Sequence, residues 1–203
     1  MAFWGMAPAA ALDLLEPASR AEWRTWLEGH HAASPGVRLV IHKKTSPTPN
    51  LSVPDAVEEA LCFGWIDSTA RALDAHRWVI QVTPRKSGSG WSAVNKERIA
   101  RMQAAGLMAP AGQARIDAAV QDGTWAKLDA VERLELPADL RAALDAHPGA
   151  ATHWDAFPRS AKRAVLEWIA QAKTEATRRK RVAEAADKAA RGERANQWTR
   201  KAP

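Results

Sequence analysis

The chain has 203 residues, with 29 Lys+Arg against 23 Asp+Glu and a formal net charge of +6. Its longest stretch free of charged residues, 102–114, is 13 residues, which excludes a membrane-spanning helix of about 20. One cysteine excludes an internal disulfide, and an apolar start without a basic region, followed by Asp13 and Glu16, does not read as a secretory signal, so a cytoplasmic protein is expected.

Residues 1–17 are broken by Pro8 and Pro17 and read as a flexible end. Ser19-Arg20-Ala21-Glu22 is a capping box that starts a helix, along which Trp23, Trp26, Leu27 and His30 make one apolar stripe. Ser34-Pro35-Gly36 ends it. Residues 37–43 alternate Val37, Leu39 and Ile41 with Arg38, Val40 and His42, the pattern of a strand with one buried face. After a loop at 45–50, Ser52 caps a second helix with Pro54 in its first turn. Ala56, Val57, Ala60 and Leu61 form its inner side and Gly64 its C′ stop. Residues 65–73 and 77–83, around Asp74-Ala75-His76, read as an antiparallel hairpin.

Pro84-Arg85-Lys86-Ser87-Gly88-Ser89-Gly90 reads as a basic flexible loop, and Ser92 as the N-cap of a helix reaching about Ala105. Further helices are expected to begin near Pro110, Trp125, Pro137, Ala150, Ser160 and Thr174. The expected fold class is α+β. A small antiparallel three-stranded sheet with flanking helices occupies 18–108, and an all-helical part follows over 109–192. Residues 1–17 and 193–203 are the flexible ends. Leu, Ile, Val and Phe number only 35 against 44 alanines and ten tryptophans, which predicts a Trp-anchored, Ala-packed core.

The six histidines and single thiol do not fall at metal-ligand spacings, so no metal and no cofactor are expected. Cys62 sits at a helix C-terminus, where the dipole disfavours a thiolate. No nucleophile elbow or phosphate loop is present, and the leading reading is non-enzymatic. The candidate site is the basic loop entering a helix N-terminus, a setting that favours an anion. There Thr83, Arg85, Lys86, Trp91, Ser92 and Asn95 would supply charge, a stacking face and hydrogen bonds, with Trp65, Asp67 and Arg71 from the hairpin. Asp67 and Arg71 are read at strand spacing on one face. A solvated, merely structural loop has the same signature, as does an Asp–Arg pair that only braces the strand.

Charge is uneven along the chain. Residues 159–203 hold 13 basic and five acidic residues, residues 1–158 hold 16 and 18. Lys173, Arg178, Arg179, Lys180 and Arg181 are therefore an alternative, nucleic-acid-binding surface, unless they form a solvated helix face.

Three blocks carry a family resemblance. Residues 59–68 (Glu-Ala-Leu-Cys-Phe-Gly-Trp-Ile-Asp-Ser), Thr83-Pro84-Arg85-Lys86 with Trp91-Ser92-x-x-Asn95-Lys96, and the C-terminal Glu167-Trp168-Ile169-x-x-Ala172-Lys173 leading to Thr177-Arg178-x-x-Arg181-Val182 resemble the bacterial YdeI/OmpD-associated family. The resemblance runs from about Ala18 to Gly192. It implies a role in stress or bacteriocin tolerance and brings no reaction, cofactor or catalytic residue. Together these readings predict a cytoplasmic tolerance protein that binds an anionic small molecule or acidic partner at the loop–helix site. Nucleic-acid binding is the runner-up. A small-molecule enzyme using Asp67 is the third class.

Overall fold

A computed structural model of the chain describes residues 12–196. Among them a four-stranded sheet is built from β1 (Leu14–Leu15), β2 (Val37–His42), β3 (Trp65–Ala72) and β4 (Arg77–Pro84), in the order β1-β2-β4-β3. β4 lies antiparallel between β2 and β3, while β1 runs parallel to β2 with Leu14 opposite Arg38 and Leu15 opposite Leu39. The expected three-stranded antiparallel sheet therefore gains a parallel fourth strand. The sequence reads residues 12–17 as part of a flexible end because two paired residues leave no alternation to detect; in the structure the Arg38 amide donates to the Asp13 carbonyl at 2.8 Å.

Local signals explain the helices of this unit. In α1 (Arg20–His30) Ser19 Oγ accepts from the Glu22 amide at 3.2 Å. Glu22 reaches back one residue beyond the cap, accepting from the Ala18 amide at 2.8 Å. In α2 (Val53–Cys62) Ser52 Oγ accepts from the Asp55 amide at 3.2 Å and donates to its carboxylate at 2.6 Å. The helix stops at Gly64, whose φ of +75° suits a residue without a Cβ. Trp23 and Leu27 of α1 and Ala56 and Ala60 of α2 pack on Val37, Leu39, Ile41, Ile80 and Val82, the core side of the sheet. The Trp23 indole donates to the Ala56 carbonyl at 3.0 Å, so this fully buried ring keeps its polar atom satisfied.

Two further helices complete the unit, α3 (Ala93–Ala104) over most of its length and α4 (Pro110–Gln121). The sequence assigns α4 to the helical part, yet it packs against the end of α2. Gly112 allows this, because a Cβ there would lie 2.1 Å from the Cys62 carbonyl oxygen.

The second compact unit comprises residues 90–93 and 123–196 of the described chain. It holds α5 (Asp129–Glu132), α6 (Ala138–Asp145), α7 (Ala150–Ala156), α8 (Arg159–Ala170) and α9 (Glu175–Ala190). The helix expected from Trp125 begins only at Asp129, since short turns join Lys127 to Thr124 and Asp129 to Ala126. Leu140, Leu144, Trp154, Val165, Leu166 and Ile169 meet the alanine stripe Ala185, Ala186 and Ala189 of α9 in one core. Gly192, at φ +70°, closes α9, with the Glu193 amide donating to the Lys188 carbonyl at 2.9 Å. His153 donates through Nδ1 to the Ala189 carbonyl at 2.9 Å. Ala195, within the expected flexible end, is buried in this core. Residues 1–11 and 197–203 of the two expected ends lie outside the described residues.

Candidate anion-binding site

The expected loop–helix site is organised differently from its sequence pattern. The Arg85 amide donates to the Gly64 carbonyl at 2.9 Å, extending the β3–β4 ladder by one step. This draws Arg85 into the fold, where it is 6 % exposed and burial pushes its guanidinium down to about 10. Lys86, one residue on, is exposed. Trp91 is 2 % exposed, its ring 5.1 Å from that of Trp125, so its face is taken by the helical unit's own packing and is not offered to a ligand. Asn95 accepts from Arg98 at 2.9 Å. Ser92 and Thr83 are half-buried. Trp65 is a core residue at 1 % exposure, its indole N–H donated to the His31 carbonyl at 3.1 Å.

Asp67 and Arg71 do not share a face. A bulge between Asp67 and Ala70 inserts one extra residue, so Asp67 pairs with Val82 and Arg71 with Val79. Val82 belongs to the core side, Val79 to the other. One inserted residue reverses the period of two.

That reversal carries Arg71 to the sheet face turned away from α1 and α2. There Arg71 and Arg38 line a pocket of about 270 Å³ together with Thr69, Gln81, Val79, Ala72 and Leu73. Arg38 stands opposite Gln81 on β2 and Arg71 opposite Val79 on β3, so the two cations flank β4 from either side. Arg38 Nε donates to the Leu12 carbonyl at 2.7 Å, which anchors the guanidinium by one edge. Neither arginine has a carboxylate partner among the described residues. Sequence reasoning found Arg71 and missed Arg38, Thr69 and Gln81. The available signal was the polar half of the β2 alternation, read only as a solvent side.

The far end of the same face is electrically complete. His42 Nε2 lies 2.7 Å from Glu16, and Arg77 bonds Glu16 at 2.9 Å and Asp74 at 2.7 Å. His42 Nδ1 faces the Thr48 carbonyl, so both ring nitrogens meet acceptors, an arrangement that favours the protonated ring. Its pKa is raised by the Glu16 hydrogen bond first and the Thr48 carbonyl second. Ser46 Oγ lies 3.4 Å from His42 Nδ1, a nitrogen already turned to the Thr48 carbonyl.

In the helical unit the run 178–181 is dispersed, since successive helix residues turn by about 100°. Arg178 is held by Asp139 at 2.7 and 3.0 Å. Arg181 bonds the Trp168 carbonyl, with its guanidinium 5.2 Å from that ring's centroid. Lys173, Arg179 and Lys180 remain exposed. Among the described residues no helix is long and apolar enough to cross a membrane, and no group of three or more His, Cys, Asp or Glu is placed to hold a metal ion.

Two family matches divide the chain much as its compact units do. Residues 15–115 match a domain of unknown function (DUF8412). Residues 133–192 match the family described as Bacteriocin-protection, YdeI or OmpD-Associated. The blocks at 59–68 and 83–96, which the sequence reading assigned to the second family, thus fall within the first domain. No curated protein and no solved structure matches the chain. The similarity to the bacteriocin-protection, YdeI or OmpD-associated family thus covers α6 to α9 of the helical unit, residues 133–192, and not the sheet-bearing unit.

Proposed function

We propose that this protein, bacteriocin-protective at the level of its family, works by binding an anionic ligand, and that the ligand sits on the sheet pocket rather than on the loop at 84–90. The observation that supports this reading is the pair Arg38 and Arg71, which line one concavity from opposite sides of β4 without a carboxylate between them. Two guanidiniums are well suited to an oxyanion because each offers planar, paired donors. Thr69 and Gln81 add neutral hydrogen-bonding groups. The neighbouring His42–Glu16–Arg77–Asp74 cluster on the same unit has its charges matched, so the imbalance is local to the pocket.

Calorimetric titration of the full chain with small oxyanions at constant ionic strength tests this. Arg71→Ala is expected to weaken binding by about tenfold or more while leaving the melting temperature close to wild type, because the side chain is exposed. Lys86→Ala is expected to change nothing. Loss of binding in Lys86→Ala with retention in Arg71→Ala would move the site back to the loop.

A further inference from the structure

Resting on the anion reading of the same pocket, we infer that its ligand is a small organic acid with an apolar body, a monocarboxylate rather than inorganic phosphate. The pocket is two-sided. Arg38, Arg71, Thr69 and Gln81 supply its polar groups, whereas Val79 and Leu73 supply hydrocarbon, and Leu73 is 41 % exposed. An exposed leucine beside two exposed arginines is apolar surface left uncovered within the site itself.

Register shows where the anion sits. Arg38 and Arg71 are on strands separated by β4 and are offset by two rows, which puts their Cα atoms about 12 Å apart. A head group reached by both side chains lies over β4, between Gln81 and Val79. Inorganic phosphate there would turn at least one strongly hydrated oxygen toward Val79 and Leu73, and desolvating that oxygen opposes binding. A carboxylate gives both its oxygens to the guanidiniums and turns its hydrocarbon to Val79 and Leu73. A concavity of about 270 Å³ lies at the lower end of small-molecule sites, which run from about 300 Å³ upward. That size suits an aromatic or medium-chain acid.

The test is titration calorimetry of the full chain at fixed ionic strength with benzoate, hexanoate, acetate, inorganic phosphate and the neutral benzamide. Benzoate and hexanoate are expected to bind about tenfold or more tightly than acetate and phosphate. Benzamide is expected not to bind. Arg71→Ala should abolish benzoate binding. Leu73→Ser, at an exposed position, should bring benzoate toward acetate while leaving acetate unchanged; Val79→Thr is the second variant and should do the same. Phosphate binding as tightly as benzoate, with both lost in Arg71→Ala, would overturn this inference and leave the anion reading standing. Benzamide binding that survives Arg71→Ala, or no Arg71-dependent binding of any anion, would overturn both.

Discussion

The Glu59 carboxylate accepts from Arg20 Nε at 2.6 Å and, through its other oxygen, from Arg24 Nη1 at 2.7 Å, while itself only 2 % exposed. One turn and the next of α1 are thereby tied to the middle of α2. Arg20 also reaches Asp55 at 2.7 Å and Glu58 at 3.2 Å, both partners nearer the surface. Burial disfavours the charge on each arginine, and the carboxylates more than offset it, so both guanidinium pKa values are raised. Glu59→Ala leaves Arg20 to Asp55 and Glu58 and Arg24 to Glu28, and opens a gap where the buried carboxylate stood, so it is expected to cost about 1–3 kcal/mol. Asp55→Ala removes a partner that shares Arg20 with others and should cost about 0–1 kcal/mol. Urea denaturation of both variants checks this; equal losses would show that Glu59 is not the keystone of the α1–α2 contact.

The glycines supply a second prediction of opposite signs. At Gly112 a Cβ would stand 2.1 Å from a backbone carbonyl that cannot turn aside, so Gly112→Ala should cost about 1–3 kcal/mol by forcing α4 away from α2. At Gly29, inside α1, a Cβ would meet nothing within 4 Å. Gly29→Ala should therefore stabilise by about 0.5–1 kcal/mol through lower unfolded-state entropy. Thermal melts of the two variants should shift in opposite directions.

Much of this architecture is legible in the residues, and its failures share one cause. The caps at Ser19, Ser52 and Thr174, the β2 alternation and the stop at Gly64 are local features, fixed by groups a few residues apart. What the sequence conceals depends on pairing across strands. The bulge after Asp67 has no side-chain signature, yet it moves Arg71 to the opposite face. Arg85 looks like a loop cation until Gly64 claims its amide. Arg38 looks like a solvated strand residue until Arg71 arrives beside the same pocket. The candidate site is thus half visible: the residues name Arg71 as a site cation, but not Arg38, with which it converges.

Stability should depend on pH through Glu16 and His42. His42 has a raised folded pKa, so the stability it contributes is full below about 6.5, the ordinary histidine value, and is lost as pH rises through the higher folded value. Glu16 is shifted down, chiefly by the His42 hydrogen bond, so its contribution is present above about 4.3 and is lost as pH falls through the lower folded value. Between these limits both charges are present and the contact is strongest. The urea midpoint of His42→Gln should fall furthest below wild type near pH 5.5, and the gap should narrow by pH 9. A gap independent of pH would mean that the ring acts only as a neutral spacer.

Cys62 provides the last test, of what α2 does to a thiol. It is fully buried, and desolvation, then the neighbouring Glu59 charge, push its pKa up to about 11, with Arg24 opposing weakly. Its position at the helix C-terminus works the same way, because the dipole there repels an anion. At pH 8 the folded chain should react with a thiol reagent about a hundredfold more slowly than a free cysteine. Glu59→Gln removes the negative neighbour and leaves Arg24 as the nearest charge, so the native-state rate at alkaline pH should rise in that variant. A rise of the same size in Gly112→Ala, which loosens α4 without touching the charge, would assign the inertness to burial alone.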